Sequence, residues 1–169
     1  MTGSLTQRLT PRGDTWVFED GITADVYLMY SDDRGESWSV PTRVNDNQRL
    51  ARHEEAMLSV NDQGVVGVAW YDRRHADAAD CYDVYFSASL DGGESFLPNT
   101  RLSTATSCQK VPGNVISDPN GQRDIAEYWP NGGDYSGIAG AADGAFHIVW
   151  ADSRTGVYQL WTRSVRISP

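Results

Sequence analysis

A chain of 169 residues with 40% hydrophobic and 11% aromatic side chains carries enough apolar surface for one packed core, and its length argues against a second domain. Its net charge of −9, with no basic run to offset it, excludes nucleic acid and anionic membrane as expected partners. No apolar run reaches the length of a membrane span, and Met1-Thr-Gly-Ser4 lacks the charged and apolar regions of a secretory signal, which leaves the compartment open.

In chain order, Leu5-Thr-Gln-Arg8-Leu-Thr10 reads as a short outer strand, similar to Thr42-Arg-Val-Asn45 and Thr100-Arg-Leu-Ser103. Trp16-Val-Phe18-Glu-Asp20 follows as a second strand. Asp25-Val-Tyr-Leu-Met-Tyr30 alternates as a strand should and runs into Ser31-Asp-Asp-Arg-Gly-Glu-Ser-Trp38. The same succession returns as Asp83-Val-Tyr-Phe-Ser-Ala88 and Ser89-Leu-Asp-Gly-Gly-Glu-Ser-Phe96, so that residues 25–44 align with 83–102. In both turns the glycine (Gly35, Gly93) permits positive φ, and the aspartate (Asp33, Asp91) can accept from turn N–H groups. Trp38 and Phe96 are expected to anchor each turn onto its sheet.

A second repeat lays Gly64-Val-Val-Gly-Val-Ala-Trp70-Tyr-Asp-Arg-Arg74 over Gly144-Ala-Phe-His-Ile-Val-Trp150-Ala-Asp-Ser-Arg154. The middle unit predicts four strands: Ala56–Val60, Val65–Tyr71, Cys81–Leu90 and one around Thr100–Ser103. The last unit predicts Tyr135–Ala141, Ala145–Ala151 and Val157–Ile167. These runs are rich in Val, Tyr, Phe and Trp and bounded by Gly, Asn and Asp. Four antiparallel strands per repeated unit predict an all-β fold of propeller blades. Between units lies the long segment Thr104–Asp134, with a short helical turn expected at Gln122–Tyr128.

Strand alternation places the two Ser-x-Asp turns at one end of the sheets and the longer loops at the other. That second end collects Asp20, then Glu54 beside His53 and Glu55, then Asp72, Arg73, Arg74, Tyr128, Asp134, Asp152 and Arg154. Asp and Arg two apart, as in Asp72/Arg74 and Asp152/Arg154, fix a rim by pairing; alternatively their guanidinium forks receive a substrate carboxylate. Glu54 with Glu55, next to His53, reads as a solvated loop turn, or else as a general acid or base or a metal edge. Asp118, Asn120 and Asp124 lack the full calcium spacing. Trp129 and Tyr135 form a sugar-stacking wall or close the core under the long loop. The two cysteines, Cys81 and Cys108, fit no zinc spacing and permit one disulfide across the loop end, or two buried thiols. No metal and no cofactor is expected.

The motif S-x-D-x-G-x-x-[WF], carried by Ser31, Asp33, Gly35 and Trp38 and by Ser89, Asp91, Gly93 and Phe96, resembles the Asp-box (bacterial neuraminidase repeat) of sialidase-like β-propellers. Val68-Ala-Trp-Tyr-Asp-Arg73, Gly133-Asp-Tyr-Ser-Gly-Ile138 and Val149-Trp-Ala-Asp-Ser-Arg154 extend the likeness. The resemblance implies a six-bladed ring, of which this chain supplies about three blades (11–46, 56–103 and 135–169), with 4–10 a stray outer strand. It also implies an exo-α-sialidase with three carboxylate-binding arginines, a Tyr–Glu nucleophile pair and an Asp acid/base. The family's Arg-Ile-Pro motif is absent, however; Arg166-Ile-Ser-Pro169 stands at the wrong end with an extra residue. The expectation is therefore a non-catalytic or inactive module that binds glycans or proteins through the long-loop face. The alternative is part of an exo-α-sialidase-like glycoside hydrolase. Three incomplete blades leave open edges, which predicts a homodimer that completes six blades by exchanging N-terminal strands.

Overall fold

The computed structural model describes residues 9–12, 15–18, 24–48, 51–75, 80–118, 121–124 and 136–167. Among these the chain is all-β and antiparallel, without helix or closed barrel. The strands are β1 (Leu9–Arg12), β2 (Thr15–Phe18), β3 (Tyr27–Leu28), β4 (Thr42–Arg43), β5 (His53–Val60), β6 (Val66–Asp72) and β7 (Cys81–Ser89). Then come β8 (Thr100–Arg101), β9 (Ser107–Cys108), β10 (Val115–Asp118), β11 (Gly121–Asp124), β12 (Gly137–Gly140), β13 (Ala145–Asp152) and β14 (Gln159–Arg166).

The middle sheet runs β5-β6-β7-β8, with β9 added at the start of β7. Every residue of β6 and β7 is buried, so this sheet is covered on both faces. Alternation sorts its side chains. Ala69, Tyr71, Tyr82, Val84, Phe86, Ala88 and Leu102 meet Phe146, Ile148 and Trp150 of the C-terminal sheet β12-β13-β14. On the other face, Val66, Val68, Trp70 and Tyr85 meet Val26 and Val44, which flank the β3–β4 pair, with Leu28 and Phe96 packed at the margin. Three antiparallel layers are thus stacked face to face.

Close approach is built into the stack. A Cβ at Gly67 would lie 2.6 Å from the Phe146 ring, so glycine there lets the ring sit directly on the β6 backbone. Farther along, the Gly140 N–H donates to Ser59 Oγ at 2.8 Å and Asn61 Nδ2 to the Gly144 carbonyl at 2.9 Å, joining β12 and its turn to the β5–β6 turn.

Two expectations change. β2, read as a second strand, pairs with β1 in a hairpin, Leu9 opposite Phe18. Of the expected outer strand 5–10, Leu9 and Thr10 belong to β1, and Leu5–Arg8 lie outside the described residues. Part of the expected helical turn at Gln122–Tyr128 is strand, since Gln122–Asp124 belong to β11 and pair with β10, where a hairpin satisfies their backbone groups. His53–Glu55, expected in a loop, open β5: His53 pairs with Asp72 and Glu54 with Tyr71, after which a bulge with Glu55 at φ 51° shifts the register before Met57.

Candidate functional site

Register separates two ends of the stack. At one end lie His53 opposite Asp72, Asp72 opposite Asp83, Cys81 opposite Cys108 and Asp152 opposite Gln159. At the other lie Val60 opposite Val66, Val66 opposite Ser89 and Ala145 opposite Arg166. The acidic and arginine candidates thus gather at the loop end, and the Ser-x-Asp turns at the opposite one.

The two Trp-x-Asp-x-Arg stretches fold alike. Trp70 Nε1 donates to Asp72 Oδ2 at 2.8 Å, and Trp150 Nε1 to Asp152 Oδ2 at 3.0 Å. The backbone N–H two residues on, at Arg74 or Arg154, donates to the other carboxylate oxygen at 2.8 and 2.9 Å. Each guanidinium then turns back onto its own aspartate and lies over an aromatic ring, Arg74 4.3 Å above Tyr85 and Arg154 4.2 Å above Trp161. Arg74 also reaches Asp46 at 2.6 Å and Asn99 at 2.9 Å, and Arg154 reaches Thr104 at 2.6 Å. Asp72 is wholly buried, and His53 Nε2 stands 3.2 Å from its Oδ2. Burial would raise the Asp72 pKa, yet His53 beside it and the hydrogen bonds from Arg74 and Trp70 outweigh it and hold the carboxyl at about 2. Asp152 is lowered in the same way, burial being overcome by Arg154 and Trp150.

Arg73 binds Glu54 at 2.9 Å and the Cys81 carbonyl at 3.1 Å, and Arg52 flanks the other Glu54 oxygen. Glu54 is therefore held in an ion pair between two arginines. Buried Asp83 accepts from Arg101 at 2.6 Å and from Ser103 at 2.9 Å. Cys81 and Cys108 are joined in a disulfide that fastens β9 to β7. Next to it, the Ser153 N–H donates to Ser107 Oγ at 2.7 Å and the Cys108 N–H to Ser153 Oγ at 3.1 Å, linking the middle and C-terminal sheets.

At the opposite end the two turns superpose bond for bond. Ser31 and Ser89 each donate to their aspartate at 2.7 Å and accept from Gly35 or Gly93 N–H at 2.7 Å. Asp33 and Asp91 accept the Ser37 and Ser95 N–H at 2.9 Å. The glycines take φ 91° and 109°, as the turn requires. The Ser37 and Ser95 hydroxyls are the main cause holding both aspartates far below the usual carboxylate range. The anchoring role holds for Phe96, which is half-buried at the core margin, and fails for Trp38, which is exposed. The β3–β4 layer covers Phe96, whereas no described layer covers Trp38.

Asp20, Tyr128, Trp129, Asp134, Tyr135 and Asn120 lie outside the described residues, and no metal-holding group of His, Cys, Asp or Glu occurs among those described. Sequence reading does not single out Asp46, Asn99, Ser107 and Ser153. Their side-chain bonds reach partners 25 to 55 residues away, so no local spacing signals them.

No family model and no curated protein matches the chain. Among solved structures, a protein of unknown function from Dyadobacter fermentans DSM 18053 is similar at 15% identity and a TM-score of 0.40, over 85% of this chain and 46% of that one. The chain thus spans less than half the length of that protein.

Proposed function

We propose that this chain is a non-catalytic recognition module, built from three blades of a sialidase-like Asp-box β-propeller, that binds glycans or proteins through its long-loop face. The observation that carries this reading is the commitment of the loop-end charges. Asp72, Asp83, Asp152, Glu54, Arg73, Arg74 and Arg154 each hold a partner within the chain. Hydrolysis of a glycosidic bond needs an acid and a nucleophile or base free to face the sugar, about 5–10 Å apart. A rim braced by internal ion pairs suits binding through the loops it carries. The twin turns support the Asp-box assignment, since both use the same residues in the same bonds. The chain further pairs with a second copy, three blades with three.

The test is a glycan-binding screen with the full chain, repeated after substituting exposed loop-end residues such as Thr104 and Lys110. Binding lost on the loop-end variants and kept in variants of the Ser-x-Asp turns supports the reading. The reverse pattern, or no retention of any glycan or protein, contradicts it.

A further inference from the structure

His53 is the one buried histidine among the described residues, and it stands between two layers. It opens β5 at the loop end, and its side chain has no exposed surface. Nδ1 donates to the Ala24 carbonyl, just ahead of β3 in the first layer, with the Asp25 carboxylate 3.9 Å from the same nitrogen. Nε2 faces the middle sheet, 3.2 Å from Asp72 Oδ2, and makes no hydrogen bond.

Each ring nitrogen therefore looks at an oxygen that can only accept. A neutral imidazole carries one N–H, so one of its nitrogens must turn a lone pair toward an acceptor. With the proton on Nδ1, the bare Nε2 lies against a buried carboxylate. With the proton on Nε2, the bare Nδ1 lies against the Ala24 carbonyl. Both arrangements leave a buried polar atom unmet, which costs stability. The imidazolium has a donor for each side.

The charges around the ring favour the same form. Asp25 pairs with Arg43 on β4 at 3.0 Å. Asp72 pairs with Arg74, which goes on to Asp46 of the first layer at 2.6 Å. The carboxylates of Asp25, Asp46 and Asp72 thus face the guanidiniums of Arg43 and Arg74, and a charged His53 balances them. On the ring's own strand, Glu54 is engaged by Arg52 and Arg73. On β7, Asp83 lies opposite Asp72 and is taken up by Arg101 and Ser103. The C-terminal sheet supplies a control, since Asp152 is buried and receives the matching Trp150 and Arg154 bonds with no described histidine against it.

We infer that the His53 proton is a clasp: the charged ring fastens the first layer, residues 24–46, to the middle sheet, and losing the proton loosens that layer while the middle and C-terminal sheets stay joined. The contribution is present while the ring is charged and is lost as pH rises through the ring's titration, the reverse of the acid dependence of Asp72. Imidazoles change charge within about pH 5–8, so the device responds to the step between mildly acidic and mildly alkaline surroundings. It is independent of what the loop end binds.

The experiment is amide hydrogen exchange of the full chain from about pH 5 to 9, expressed as protection factors so that intrinsic exchange is removed, together with the nitrogen NMR spectrum of the His53 ring. Val26 and Val44 report on the first layer, because their N–H groups donate within it to Asn45 Oδ1 and to the Val26 carbonyl. Phe146 and Ile148 of β13 are the internal reference. The ring should carry a proton on both nitrogens at the acid end. As it loses one, protection at Val26 and Val44 should fall about tenfold, the scale of leaving one buried polar group unmet, while the reference stays level. His53→Gln should remove the dependence, and His75→Gln should keep it, because His75 is exposed and stands 6.3 Å from the Tyr85 ring. Should His53→Gln fail to fold, the coincidence of ring titration and layer protection in the wild type decides alone. Protection that stays level while the ring titrates would overturn the inference. So would a ring with a single proton throughout, or a dependence that survives His53→Gln or vanishes with His75→Gln.

Discussion

The Tyr82 hydroxyl donates a 2.8 Å hydrogen bond to the Ala151 carbonyl, across the boundary between the middle and C-terminal sheets. The Ala151 N–H in turn donates to the Tyr71 hydroxyl at 3.3 Å, and the two tyrosine rings lie 4.7 Å apart. Both sides of one peptide position are therefore held by side chains of the neighbouring layer. Burial is the main cause raising both phenol pKa values, which keeps both hydroxyls protonated. Tyr82→Phe removes one bond and leaves a buried carbonyl unmet, so it should cost on the order of 1–2 kcal/mol in urea unfolding. Stability equal to wild type would mean that the two sheets are not joined there.

The disulfide closes a stretch with a sequence separation of 27 between Cys81 and Cys108. Chain-entropy arguments give it about 3–4 kcal/mol of stabilisation. Non-reduced, denatured protein should titrate no free thiol, and a reductant should lower the melting temperature. Two titratable thiols contradict the bond.

Asp33→Ala and Asp91→Ala should each lower the melting temperature without changing ligand affinity at the loop end. Each removes the acceptor for one serine hydroxyl, one serine N–H and the motif's first serine. Unchanged melting together with lost binding would reverse the assignment of the two ends.

Acid should weaken the contacts of Asp72. Its folded pKa of about 2 lies below the ordinary 3.8, so its contribution is fully present above about pH 4 and is lost as pH falls through about 2. A shift of that size is on the order of 2 kcal/mol. Arg74→Ala should both destabilise the protein, on the order of 3 kcal/mol for a broken buried pair, and flatten this pH dependence. Urea unfolding at a series of pH values reads both, and a parallel pH profile in the variant would contradict the coupling.

How much of the molecule is legible in the sequence follows from how local each feature is. The middle and last units are readable because Val, Tyr, Phe and Trp alternate within short spans, and β6, β7 and β13 fall within one residue of where alternation puts them. The twin turns are readable for the same reason, being complete within eight residues. The Asp–Arg spacing announces a rim, though the rings beneath it, Tyr85 and Trp161, come from the next strand and show only in register. Trp38 departs from expectation because its burial depends on a layer that its own sequence does not specify. His53 and Glu54 read as loop because charged residues at a strand start look like a solvated turn until Asp72 and Arg73 are brought beside them.

Whether the rim is braced rather than catalytic is read out by a fluorogenic sialoside assay on the purified chain, with Arg74→Ala and Arg154→Ala alongside. No turnover above the uncatalysed rate is expected for any of the three proteins, because the loop-end carboxylates and guanidiniums are engaged with one another. Hydrolysis by the wild type that either substitution abolishes would contradict this and make those arginines a substrate-carboxylate clamp.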